Sequence, residues 1–99
     1  MSNTTELIHI FKNYFISKPI NKAWLFGSYA RNEQTPDSDI DILVDFDKDS
    51  NLNLFSLAAI IIDLEKLSGK KIDLIDAKRV LPGLTDFIDK DKILIYERN

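Results

Sequence analysis

The 99-residue chain has room for one small domain with an adequate but not generous core. Its net charge of −3 and its scattered lysines and arginines argue against binding along a nucleic-acid backbone, which needs clustered positive charge. The absence of cysteine excludes disulfides and thiolate metal sites and suits a reducing cytoplasm, no apolar run approaches the roughly 18–20 residues of a membrane span, and no secretory signal pattern opens the chain.

Asn3 and Glu6 stand three apart ahead of an apolar pattern, close to a capping box. Leu7, Ile8, Phe11, Tyr14 and Phe15 then recur at helical spacing and predict a first helix to about Ile16, ended by Lys18-Pro19. Ala23-Trp24-Leu25-Phe26 reads as a short buried strand delivered into Gly27. A short helical segment is expected from Tyr29 to about Asn32, then a polar loop over 33–37. Asp39 to Val44 alternates, with Ile40, Ile42 and Val44 on one face and Asp39 and Asp41 on the other, as a strand does.

After a turn at Asp47 to Ser50, a long helix runs from about Asn53 to Ser68 and stops at Gly69, where a left-handed cap is wanted. Its apolar residues spread around much of its circumference, wider than the stripe of a surface helix. The preferred reading is burial on two sides, by the sheet and a neighbouring helix. The alternative is that part of this face meets another chain. Lys71 to Ile75 is a third strand, Pro82 opens a short helix through Ile88, and Ile93 to Tyr96 is a last strand. The order α-β-α-β-α-β-α-β predicts one α/β (α+β) domain over 1–99, a mixed sheet of about four strands flanked by helices.

Chemistry concentrates in two places. Asp39 and Asp41, two apart on a strand, leave the same face with Cα atoms roughly 6.5–7 Å apart, a spacing that can hold a hard divalent cation such as Mg²⁺. Alone, such a pair is a common solvent-facing pattern. Asp73 changes its weight, because it sits between Ile72 and Leu74 in an apolar strand where aspartate is disfavoured. If the two strands are neighbours, three carboxylates share a face, repel, and raise at least one pKa. Asp76 is the rival third carboxylate, read as a turn residue. Gly27-Ser28 supplies the second place: glycine permits close approach of phosphate or a positive φ, and Ser28 is expected to cap the helical segment after it. Arg31 can offer a planar donor fork to phosphate. His9, on the first helix, is read as a surface residue.

Gly27-Ser28, ten residues and Asp39-x-Asp41 together resemble the G-S-x10-D-x-D signature of the polymerase-β-like nucleotidyltransferase superfamily. Ser28-x-x-Arg31 and Ser38-Asp39 sharpen the resemblance to the minimal nucleotidyltransferase (MNT) subgroup, across essentially the whole chain. The resemblance implies Mg²⁺-dependent transfer of AMP from ATP to a hydroxyl. Asp39, Asp41 and Asp73 would bind two Mg²⁺ ions and serve catalysis, and Gly27, Ser28, Arg31 and Ser38 would hold the nucleotide. It further implies a cytoplasmic antitoxin whose partner is a helical HEPN-domain toxin, silenced by AMP on a tyrosine, in a homo- or hetero-oligomer. Where the family usually has glycine after the arginine, Asn32 stands here, a residue that tolerates the left-handed conformation. The alternative is a nucleotide-binding module that neutralises a HEPN partner by complex formation without catalysis. An antibiotic nucleotidyltransferase is disfavoured, since no substrate-binding domain follows the core.

Overall fold

A computed structural model describes residues 3–98 of the chain. Its elements are α1 (Thr4–Phe15), β1 (Ile20–Phe26), α2 (Gly27–Ala30), β2 (Ile40–Phe46), α3 (Leu54–Ser68), β3 (Ile72–Asp76), α4 (Pro82–Asp91) and β4 (Ile93–Glu97), with a 3-10 turn at Ala77–Arg79. The strands form one sheet in the order β3-β2-β1-β4. β1 is antiparallel to both β2 and β4, while β2 and β3 run parallel, joined by α3 as a crossover. The mixed sheet flanked by helices is as expected.

Local chemistry sets the boundaries. The Asn3 side chain accepts from the Glu6 N–H at 2.8 Å and starts α1. The Asn53 side chain does the same for α3 through the Ser56 N–H at 2.9 Å. Gly69, at φ 68°, ends α3 in the left-handed conformation. Asp76 is a turn residue, its side chain accepting from the Lys78 N–H at 3.0 Å.

α1 and α3 cover one face of the sheet. Leu7, Phe11 and Phe15 pack there with Ile60 and Leu64 over Ile20, Leu25, Ile40, Ile42 and Val44. Each such side chain contributes about 1.5–3 kcal/mol by leaving water, which is how a 12-residue helix holds its place. The other face is covered more thinly: Ile88 of α4 packs on Phe26 and Leu43, flanked by Trp24 and Ile75. Beyond the end of that cover, the second face opens at the junction of β1 and β2.

Two expectations need correction. β2 begins at Ile40, not Asp39, because ladder pairing starts where the Ile40 N–H donates to the Lys71 carbonyl at 2.9 Å. α3 does lie against both the sheet and α1, where Tyr14 Oη donates to Asp63 Oδ2 at 2.6 Å, but the two bury little of its circumference. Only Ile60 and Leu64 are buried on it, while Leu54 and Phe55 are 80% and 86% exposed. The wide apolar surface of α3 outruns what these two neighbours cover. Among the described residues no helix is long and apolar enough to cross a membrane.

Candidate active site

At the end of β1 the chain turns through Gly27, whose φ of +72° is one that glycine adopts without steric cost. Space demands glycine as firmly as conformation does, because a Cβ there would collide with the carboxylate Oδ2 of Asp41. The turn is thus pressed directly against the first residue of β2 to point onto the second face. α2 starts at Gly27 itself, one turn of helix with Phe26 at the cap position and no side-chain cap. Ser28 therefore does not cap the helix as expected: the positive-φ turn starts it two residues earlier and places Ser28 inside it. Asn32 follows at φ 58°, taking up the left-handed conformation in which glycine is most at ease.

Phe26, Gly27, Ser28, Arg31, Ser38, Asp39, Asp41 and Phe87 line a cleft of about 330 Å³. Asp73 flanks it from β3, directly beside Asp41 in the parallel register. Side chains at paired positions of neighbouring strands share a face, so Asp41 and Asp73 meet. The structure therefore brings Gly27, Ser28, Arg31, Ser38, Asp39, Asp41 and Asp73 to one place. Exposed His9 lies away from it on α1.

Electrostatics follow from that crowding. Burial pushes the Asp41 carboxyl up from 3.8 to about 6, and the Asp73 and Asp39 charges and a hydrogen bond with Asp73 add to the rise, with Arg31 opposing it. The Arg31 side chain forms ion pairs with Glu33 at 2.7 Å and with Asp91 of α4 at 3.2 Å. Its guanidinium thus bridges the turn to α4 while also facing the cleft. The Ser38 Oγ accepts from the Thr35 N–H at 2.9 Å, so this hydroxyl closes the turn that carries Asp39 to the cleft.

The donor set suits a hard divalent cation: carboxylate oxygens only, one of them with its proton affinity raised by burial and by neighbouring anions. Among the described residues no three His, Asp or Glu side chains are already gathered around one point. An open set of few carboxylates is the kind that Mg²⁺ completes with water and phosphate.

A family model described as Polymerase beta, Nucleotidyltransferase matches residues 5–99. The chain belongs to this family. As a nucleotidyltransferase it has relatives of similar length. One from Methanocaldococcus jannaschii, named by inference a protein adenylyltransferase, is 37% identical over 97 residues, covering 96% of this chain and 97% of that protein. The protein adenylyltransferase MntA of Thermococcus cleftensis is 32% identical over 77 residues, covering 77% and 75%. Among solved structures, the nucleotidyltransferase fold matches a chain of a toxin–antitoxin crystal structure with AMP-PNP, at a TM-score of 0.74 and 20% identity, covering 99% of this chain and 76% of that one. It also matches a chain of the tri-AMPylated Shewanella oneidensis HEPN toxin in complex with MNT antitoxin, at a TM-score of 0.65 and 19% identity, covering 97% and 71%.

Sequence reasoning missed Phe87. The helix expected from Pro82 through Ile88 contains it, but its signal is a stripe of Leu84, Phe87 and Asp91 that only the full length of α4 reveals.

Proposed function

We propose that this nucleotidyltransferase transfers AMP from ATP to a hydroxyl, a tyrosine's by preference, on a HEPN-type toxin and so acts as its antitoxin. The observation that carries the proposal is the Asp41–Asp73 pair meeting on the sheet face against which Gly27 is pressed. The relatives' adenylyltransferase names and the fold shared with toxin–antitoxin chains support the choice of nucleotide and partner. A chain without cysteine that uses ATP fits the cytoplasm.

Gly27 and Ser28 hold the triphosphate, Arg31 offers its fork to a phosphate oxygen, and Ser38 keeps the loop bearing Asp39 in place. Asp39, Asp41 and Asp73 would hold Mg²⁺, which when bound neutralises phosphate charge and lowers the acceptor hydroxyl's pKa. Asp73, the more exposed of the strand pair, takes the proton from the acceptor hydroxyl. The acceptor oxygen forms a bond to the α-phosphorus as the α–β bridging P–O bond breaks, and pyrophosphate leaves in line. The proton then passes from Asp73 to solvent.

Incubating the protein with α-labelled ATP, Mg²⁺ and a HEPN partner tests this. Label should stay on the partner after denaturation, and Asp41→Asn should abolish it while the protein stays folded. Tight complex formation without label would instead establish the non-catalytic binding module, for which the open apolar surface of Leu54 and Phe55 is the supporting observation.

A further inference from the structure

One wall of the cleft has no part in holding metal or phosphate. Phe87 of α4 lines the same cleft as Asp39 and Asp41 and remains 60% exposed. Helix geometry explains the exposure. Ile88, one position on and about 100° round the axis, is buried under α4 against Phe26 and Leu43, so Phe87 is turned to the side. Asp91, four residues after Phe87, shares its stripe and accepts a hydrogen bond from Arg31 Nη1 at 3.2 Å. Since Arg31 itself lines the cleft, that bridge locks the Phe87 stripe of α4 beside the Gly27-Ser28 turn.

A large planar ring left open to water contributes little to the fold, yet this one stands beside groups suited to a triphosphate. A base has a planar face of its own, and stacking on an aromatic side chain is strong and tolerant of base identity. We infer that Phe87 is the platform on which the nucleobase of the bound nucleotide stacks, which makes it a determinant of nucleotide affinity. The inference rests on the nucleotide occupying the Gly27–Asp41 cleft. Because stacking area sets the gain, purine nucleotides bind more tightly than pyrimidine nucleotides at this wall.

Calorimetric titration of wild type, Phe87→Ala, Phe87→Leu and Phe87→Trp with Mg-ATP and with Mg-tripolyphosphate tests it. Phe87→Ala and Phe87→Leu should each bind ATP about tenfold more weakly, Phe87→Trp should bind at least as well as wild type, and tripolyphosphate should bind all four alike. Phe87→Leu keeps apolar bulk without the ring and so separates stacking from any loss of folding. Unchanged ATP affinity in Phe87→Ala, or equal losses for ATP and tripolyphosphate, overturns the role of Phe87 and leaves the cleft assignment standing. Wild type that binds neither ligand overturns both. Weakened binding of a HEPN partner with intact ATP affinity places Phe87 at the protein interface and likewise overturns the inference.

Discussion

Gly27 and Asp41 are fitted to each other: the space that a Cβ on Gly27 would need is filled by the Asp41 carboxylate, and Gly27 holds a φ of +72° as well. Fold and site meet in this contact, since the tight turn can press on β2 only where the residue has no side chain. Gly27→Ala must therefore both strain the backbone and displace Asp41. A loss of about 1–3 kcal/mol is expected, which for a domain of this size lowers Tm by roughly 5–15 °C. Calorimetry should show that loss, together with transfer activity as low as that of Asp41→Asn. A fully stable and active Gly27→Ala protein would mean that the turn is not packed against Asp41.

Asp41 also ties stability to pH. Its carboxyl is raised from 3.8 to about 6, first by burial and then by Asp73 and Asp39, so between these values the folded protein binds more protons than the unfolded chain. Stability is lost as pH rises through that window, and the full cost is present above about pH 6. Discounted for the solvent that reaches this half-buried group, the cost is on the order of 1–2 kcal/mol. Urea unfolding in EDTA should show Asp41→Asn gaining on wild type by that amount between pH 4 and pH 7. Millimolar Mg²⁺ at pH 7 should stabilise wild type and leave Asp41→Asn unchanged. A pH-independent difference between the two proteins would show that Asp41 is not crowded by its neighbours.

The elements were legible because their signals were local. Asn3 and Asn53 cap, Gly69 stops a helix, and Ile40, Ile42 and Val44 alternate, each effect being complete within a few residues. The meeting of Asp41 with Asp73 was legible for a different reason: an aspartate between Ile72 and Leu74 pays off only beside a site, and a parallel neighbour of β2 provides one. What the sequence hid depended on layers and neighbours. The burial of α3 depends on how many layers lie over it, which periodicity does not encode. The start of α2 depends on the φ of Gly27, and Phe87 acquires meaning only once Arg31 and Asp91 join two elements that lie 60 residues apart.

Arg31 allows structural and binding roles to be separated. Its partners Glu33 and Asp91 are surface carboxylates, and exposed pairs of this kind add little to stability. Asp91→Ala should therefore melt close to wild type. Arg31→Ala should raise KM for ATP several-fold, and Arg31→Lys should recover only part of it, because an ammonium cannot reproduce the planar two-point fork. Steady-state kinetics at fixed acceptor concentration read this directly. An Arg31→Lys protein with the wild-type KM would reduce Arg31 to a simple charge at the cleft.

Asn32 tests how firmly the site turn needs its left-handed residue. At φ 58° it closes α2, its N–H donating to the Tyr29 carbonyl at 3.3 Å, and the next N–H, that of Glu33, returns to the Ser28 carbonyl at 2.9 Å. In Asn32→Gly the relief of φ strain in the folded state is offset by the greater freedom of glycine in the unfolded chain, so stability should stay within about 0.5 kcal/mol of wild type. Asn32→Val has no such route: a β-branched residue is resisted in this region, at a cost of about 1–2 kcal/mol. Urea midpoints should separate the two variants by that margin. Because the strain sits one hydrogen bond from Ser28, ATP affinity should fall in Asn32→Val and hold in Asn32→Gly. Equal midpoints for the two would show that the chain leaves α2 by another path.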